Sequence, residues 1–324
     1  MSIFSELTIK LNGLGRPVFI QTHNFPDHDA VAAAYGLQQL LGAYGIAAHI
    51  VYEGDIQRDS LREMIHELGI SLIDNDDIHI TPEDKIIIVD GCKGNKNVLE
   101  LPGEEIAVID HHEVECPDDV PLCDLRSGYG SCSSIVYSYY AEAGRALPRN
   151  VATALMIGIC MDTSLLTRKV HEADIRAYVE LFPHADVPLQ NRILRNYIQT
   201  QDLDFFRHAL EHVVIDAEER MAFCYFPDGC NQNLLGVLGD FFLSLREISF
   251  VALCAKNGGV INLSVRNELP QLNASAVIQE VLKGMGFGGG HADMAGGIIK
   301  DLRLFVPEKI RNKFLAHVRA APLA

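Results

Sequence analysis

Two stretches decide the fold: Lys85-Ile86-Ile87-Ile88-Val89-Asp90 and Glu105-Ile106-Ala107-Val108-Ile109-Asp110, the second running on into His111 and His112. Each is a short, β-rich apolar run that ends on a carboxylate. A strand that is apolar throughout belongs in a sheet buried on both faces, which makes the sheet parallel. Pro17-Val18-Phe19-Ile20-Gln21-Thr22-His23 repeats the pattern and ends on an imidazole. Between these runs the spacing turns helical. Ala30, Ala34, Leu37 and Leu41 precede a Gly42 to Gly45 stop, and Leu61, Ile65 and Leu68 precede Gly69. The reading is an α/β domain built on a parallel, doubly wound sheet. Ligands of such sheets bind beyond the carboxyl ends of the strands, where these polar residues fall.

Further along, the polar helical stretch from about Leu189 to His212 reads as a connecting helix. The second half changes texture. Arg220 to Phe226, Ser249 to Ala255 and Val260 to Val265 read as strands, with a hairpin turn over Lys256-Asn257-Gly258-Gly259. Helices follow over Ala274 to Leu282, with Asn273 as N-cap, and over Glu308 to Arg319. The expected organisation is a metal-binding domain over 1–188, a linker helix over 189–212 and a smaller α+β domain with a mixed sheet over 213–324.

The chain has 324 residues, 48% of them hydrophobic, enough for substantial cores. No run approaches the roughly 20 apolar residues of a membrane helix, and Met1 to Gly15 lacks the form of a signal peptide. A cytoplasmic protein without a membrane partner is expected. The eight cysteines include no C-x-x-C pair, so reduced, mostly buried thiols are expected. A formal net charge of −16 argues against long duplex nucleic acid, whose binding relies on many Lys and Arg contacts to phosphates. A small anion needs only a local positive site.

The segment His23-Asn24-Phe25-Pro26-Asp27-His28-Asp29 follows the first strand directly. Either aspartate alone could simply cap the next helix. Counted with Asp90, Asp110, His111 and His112, however, up to six acidic or imidazole groups gather at one sheet edge. Such crowding is costly unless cations neutralise it. Asp162, in Gly158-Ile159-Cys160-Met161-Asp162-Thr163-Ser164, adds another carboxylate. Asp and His donors without thiolates favour Mn²⁺ or Mg²⁺, with Co²⁺ also possible. Their number exceeds what one ion takes while keeping open positions, so two divalent ions are expected. In the second half, Gly288-Gly289-Gly290-His291 lets backbone approach an anion, and Arg266, in Ser264-Val265-Arg266-Asn267, supplies a guanidinium suited to phosphate.

These elements, in this order, resemble the DHH phosphoesterase superfamily, in the subfamily with a DHH-associated C-terminal domain. The triplet Asp110-His111-His112, the His23-x-x-x-Asp27-x-Asp29 element, Asp90 and the Asp162-Thr163 pair carry the likeness. It implies one metal held by His23, Asp27 and Asp90, and a second by Asp29, Asp90, His111 and Asp162, with Asp90 bridging. Asp110 would orient an imidazole, His112 would face the substrate phosphate, and Arg266, His291 and Gly288 to Gly290 would hold the distal part of a nucleotide. Three positions depart from the pattern. His28 stands where glycine is common, Asn267 where many relatives carry serine, and Ser164-Leu165-Leu166-Thr167-Arg168 differs from the usual continuation.

The resemblance implies a hydrolase of phosphate esters in small nucleotides, similar to nano-RNases, adenosine bisphosphate phosphatases and linear or cyclic di-adenylate hydrolases. Asp90, Asp110, His111 and His112 would carry the chemistry through water activated by two metals. The expected partner is a small nucleotide or short single-stranded oligonucleotide, and relatives suggest a homodimer. An inorganic pyrophosphatase or short-chain polyphosphatase is the alternative enzyme, since the same first-domain ligands serve that chemistry. A nucleotide sensor without catalysis is the third reading.

Overall fold

The computed structural model describes residues 2–195 and 198–321. The chain divides into two compact units, one ending at residue 197 and the other beginning at residue 198.

The first unit opens with α1 (Ile3–Leu11), β1 (Val18–Gln21), α2 (His28–Gly42), β2 (Ala48–Tyr52), α3 (Asp59–Leu68) and β3 (Leu72–Asp74). It continues through β4 (Lys85–Val89), β5 (Glu104–Asp110), β6 (Leu122–Leu125), α4 (Cys132–Ala143), α5 (Arg149–Asp162), α6 (Glu172–Leu181) and α7 (Val187–Arg195). All six strands are parallel, in the order β3-β2-β1-β4-β5-β6. The order reverses between β1 and β4, which makes the carboxyl ends of those two strands the switch point where such sheets bind ligands.

Alternate strand residues separate two cores. Ile20, Ile50, Ile87, Val89, Ala107 and Ile109 pack with side chains from α1 through α7. Phe19, Val51, Ile86, Ile88 and Val108 pack instead against Ile80, Cys92, Val98, Leu101 and Val120, which lie in the crossovers between strands. The second face is therefore covered by loop, and the crossovers 90–103 and 111–121 contain no helix. The central helix α2 has twelve of its fifteen residues buried, which requires the Ala-rich, small-residue surface that the sequence gives it. Asp27 caps its first turn, accepting hydrogen bonds from the Asp29 and Ala30 amides at 3.0 and 3.1 Å.

The second unit holds α8 (Leu203–His212), β7 (Val214–Asp216), β8 (Met221–Phe226), α9 (Gln232–Leu243), β9 (Phe250–Asn257), β10 (Val260–Asn267), α10 (Ala274–Leu282), β11 (Gly286–Gly290), β12 (Met294–Ile299) and α11 (Pro307–Ala320). Its six strands run in the order β11-β12-β10-β9-β8-β7, with β8 and β9 parallel and the other neighbours antiparallel, a mixed sheet. α9 covers one face through Leu234, Leu235, Leu238 and Phe242. α10 and α11 cover the other through Val277, Ile278, Ile310 and Phe314. Among the described residues no helix is long and apolar enough to cross a membrane.

Three expectations need correction. The single helix expected over 189–212 is two helices, α7 and α8. Gln199 is extended, and its amide donates to the Asp202 carboxylate at 2.8 Å, which starts a new helical turn before α8. The Gly288-Gly289-Gly290 segment, to which the sequence assigned no strand, lies in β11. Cys116 and Cys123 are disulfide-bonded, because the crossover between β5 and β6 doubles back and brings their Cα atoms to 6.0 Å. The other six cysteines are free and buried.

Candidate metal centre

Asp90, the first residue after β4, sits at the switch point with 2% of its surface exposed. Its backbone is left-handed (φ 57°), a conformation costing on the order of 1–3 kcal/mol for a non-glycine residue and tolerated best by Asp and Asn. Three sets of side chains form around this end of the sheet, each with ligand atoms within 4.8 Å of one another: His23, Asp27 and Asp90; Asp29, His111 and Asp162; and Asp90, His111 and His112. The structure thus brings together all six residues expected to ligate metal, with His112 beside them. His23 Nε2 lies 3.7 Å from Asp90 Oδ2 and 3.9 Å from Asp27 Oδ1. His111 Nε2 lies 3.3 Å from Asp90 Oδ1 and 3.2 Å from Asp162 Oδ2.

Each group is aimed by a neighbour. His111 Nδ1 contacts the Tyr129 carbonyl at 3.2 Å and His23 Nδ1 the Asn24 carbonyl at 2.9 Å, which leaves both Nε2 atoms for the site. Asp110, fully buried, accepts from the His111 and His112 amides at 2.8 and 3.2 Å and holds His112 Nδ1 at 2.7 Å. Asp29, also fully buried, accepts from the Cys132 amide at 2.6 Å and the Ser133 amide at 2.9 Å, so its carboxylate sits on the N-terminus of α4. Gly158 of α5 makes room for this. A Cβ there would lie 2.2 Å from Ser133 Oγ and 2.7 Å from Asp29 Oδ1.

The electrostatics follow from packed anions. Burial and the charges of Asp90 and Asp162 push the Asp29 carboxyl well above its usual range. Burial, then the charges of Asp27 and Asp90, push Asp162 up to about 6 against the pull of His111. Burial opposes protonation of His111, but the close carboxylates of Asp162 and Asp90 overcome this and push it up to about 12. His23, likewise buried beside Asp27 and Asp90, is pushed up to about 10. Burial also works against the Asp27 carboxylate, yet the bond and charge of His23, with Arg58 behind them, hold it far below the usual range.

Asp90 Oδ1 and His111 Nε2 are buried and make no hydrogen bond. Two orphaned lone-pair atoms amid oxygen and imidazole donors fit divalent cations of the Mn²⁺ or Mg²⁺ kind. His28, the departure between the two aspartates, is fully buried and turned away, its Nε2 3.0 Å from Ser60 Oγ of α3. Sequence reasoning missed the N-terminus of α4 as the partner of Asp29, and Tyr129 as the partner of His111. Ser131, which caps α4 by accepting from the Ser134 amide, was the available signal.

In the second unit, Arg266 Nε donates to Asp240 Oδ1 at 2.8 Å and Nη1 to Ser264 Oγ at 3.2 Å, with the side chain lying against Gly236 and Gly239 of α9. Gly289 pairs with Gly296, which pairs with Ser264, so one face of this sheet edge is a strip of bare backbone beside Arg266. Asn267, 4% exposed, donates to the Leu269, Leu272 and Ala292 carbonyls. It ties the segment after β10 to the turn carrying His291, an exposed residue whose amide bonds Met294 O at 2.7 Å.

A parallel sheet with a carboxylate and imidazole cluster at its switch point, followed by a unit with a mixed sheet and a glycine edge strand, defines a two-part α/β protein whose cluster could hold metal ions. The chain belongs to the DHH phosphoesterase superfamily. Residues 17–159 match the DHH family, N-terminal domain, and residues 218–321 the DHHA1 domain. It is 31% identical over 310 residues to an uncharacterized protein of Methanocaldococcus jannaschii, covering 92% of this chain and 63% of that one. It is 27% identical over 176 residues to a probable manganese-dependent inorganic pyrophosphatase of Streptococcus thermophilus, covering 53% of this chain and 57% of the relative. The chain thus spans about three fifths of the length of both relatives. In structure it is similar to an exopolyphosphatase-related protein from Bacteroides fragilis, with a TM-score of 0.79, 17% identity and coverage of 98% and 95% of the two chains.

Proposed function

We propose that the protein is a divalent-metal-dependent hydrolase of phosphate esters in small nucleotides, such as dinucleotides, short oligoribonucleotides or nucleoside bisphosphates. The observation that carries the reading is Asp90, strained, buried and with an Oδ1 that no hydrogen bond satisfies, lying in two of the three donor sets. His23, Asp27 and Asp90 would hold one cation; Asp29, Asp90, His111 and Asp162 would hold the other. Bound there, the two ions supply Lewis acidity at phosphorus and a water acidic enough to attack at neutral pH. Manganese is the preferred ion, on the oxygen and nitrogen donor set and the relative's name.

The chain's own residues set the geometry. Asp110 fixes the His112 ring through Nδ1, and the ring is exposed enough to meet a phosphoryl oxygen. Support for a nucleotide comes from the second unit, where the open glycine strip and Arg266 offer backbone and a guanidinium to an anion.

The alternative, a pyrophosphatase, is favoured by the streptococcal relative, whose match is confined to about half of this chain. One panel decides: the purified chain with Mn²⁺ is given dinucleotides, a nucleoside bisphosphate and pyrophosphate, and products are separated by chromatography. Nucleotide turnover that chelation abolishes is the expected result. Turnover of pyrophosphate alone would establish the alternative, and tight nucleotide binding without turnover would make the protein a sensor.

A further inference from the structure

Phe25 lies between His23 and Asp27, and it is an anomaly on two counts. Its side chain is 52% exposed, and its backbone is left-handed (φ 55°). A bulky residue gains nothing from that conformation, which costs on the order of 1–3 kcal/mol, and an exposed ring adds no core energy. Asn or Gly would occupy the position with less strain.

The surroundings hold the residue there. The Phe25 amide donates to the Glu53 carbonyl at 2.7 Å, beyond the end of β2. Next to it, the Asn24 amide donates to the Asn97 carbonyl at 2.6 Å, and Asn24 Oδ1 accepts from the Leu99 amide at 3.0 Å. The two residues are thus pinned to segments after β2 and β4, on either side of β1. The ring rests on Gly54, itself left-handed (φ 83°), where any Cβ would come within 2.6 Å of the ring carbons. Only glycine gives that seat. One side of the ring is backed by Gly54, the residue is half exposed, and its neighbours two positions away in sequence, His23 and Asp27, belong to the donor cluster.

We infer that Phe25, seated on Gly54, is a stacking platform for a nucleobase of the substrate. The inference rests on the nucleotide reading above and deepens it, since pyrophosphate has nothing to stack. A base stacked on an aromatic side chain contributes binding that tolerates base identity, with purines favoured by their larger rings. The platform sits two residues from His23 and from Asp27, so it would address a base close to the scissile phosphate.

The chain contains no tryptophan, which makes a direct test simple. Phe25→Trp places the sole indole on the platform, and Phe182→Trp places one on an exposed phenylalanine of another element as control. Both proteins, loaded with Mn²⁺, are titrated with adenosine 5′-monophosphate and with ribose 5-phosphate. Saturable quenching by the nucleotide, absent with the sugar phosphate and absent in the control, is expected. Equal responses to both probes, or none, would overturn the platform.

A second variant, Phe25→Asn, relieves the backbone strain and so keeps the fold. Its KM for a dinucleotide should rise by about fivefold to a hundredfold with kcat little changed. An unchanged KM would also overturn the inference. Failure of the wild-type substrate panel with intact quenching would instead sink the hydrolase reading alone.

Discussion

At the residue scale, the site depends on side chains that never face solvent. The Asp110 carboxylate accepts from the amides of His111 and His112 and holds the His112 ring. Asp110→Asn keeps an acceptor for the two amides but loses the charge that orients His112, and a change of this kind costs about 10–100-fold in activity. Steady-state kinetics with unchanged circular dichroism would show it; full activity would remove His112 from the chemistry. Gly158 is as demanding. Gly158→Ala drives a methyl into Ser133 and Asp29, so the first unit should lose about 1–3 kcal/mol of stability in urea and bind Mn²⁺ more weakly. The strand-end residues Asp90, Asp110, His111 and His112 were legible because an apolar run announces the strand and its end announces the edge. The role of Gly158 was not legible, since it depends on two helices that meet only in three dimensions.

At the element scale, β1, β4 and β5 could be read as unbroken apolar runs, the mark of burial on both faces, and α2 from its helical spacing, whereas β2, β3 and β6 were not read. The loop-covered second face could not, because Cys92, Val98, Leu101 and Val120 are scattered through irregular crossovers with no period to read. Asp29 could be counted as a carboxylate, but its partner, the amide of Cys132, lies 103 residues away. The glycine segment was illegible as a strand, since glycine is depleted in strands.

The glycines of β11 and β12 differ in their surroundings. A Cβ at Gly297 would lie 2.5 Å from Leu282 of α10, whereas Gly289 has open space. Gly297→Ala should therefore destabilise the second unit by about 1–3 kcal/mol through overpacking. Gly289→Ala should melt within about 0.5 kcal/mol of wild type yet raise the KM for nucleotide. Denaturation curves and kinetics on the pair separate packing from binding; equal effects on stability would contradict the assignment.

At the scale of the whole molecule, a net charge of −16 coexists with a proposed function that gathers anions. The first unit concentrates Asp27, Asp29, Asp90 and Asp162 at one sheet edge, and the second presents its glycine strip and Arg266 on a separate sheet. Divalent cations would reconcile the acidic site with the proposed phosphate substrate, since they reverse its local sign. The most direct test is anomalous diffraction at the manganese edge from crystals soaked in Mn²⁺. Two peaks are predicted, both within bonding distance of Asp90, one also reaching His23 and Asp27 and the other Asp29, His111 and Asp162. A single peak away from Asp90, or none in well-ordered crystals, would contradict the account.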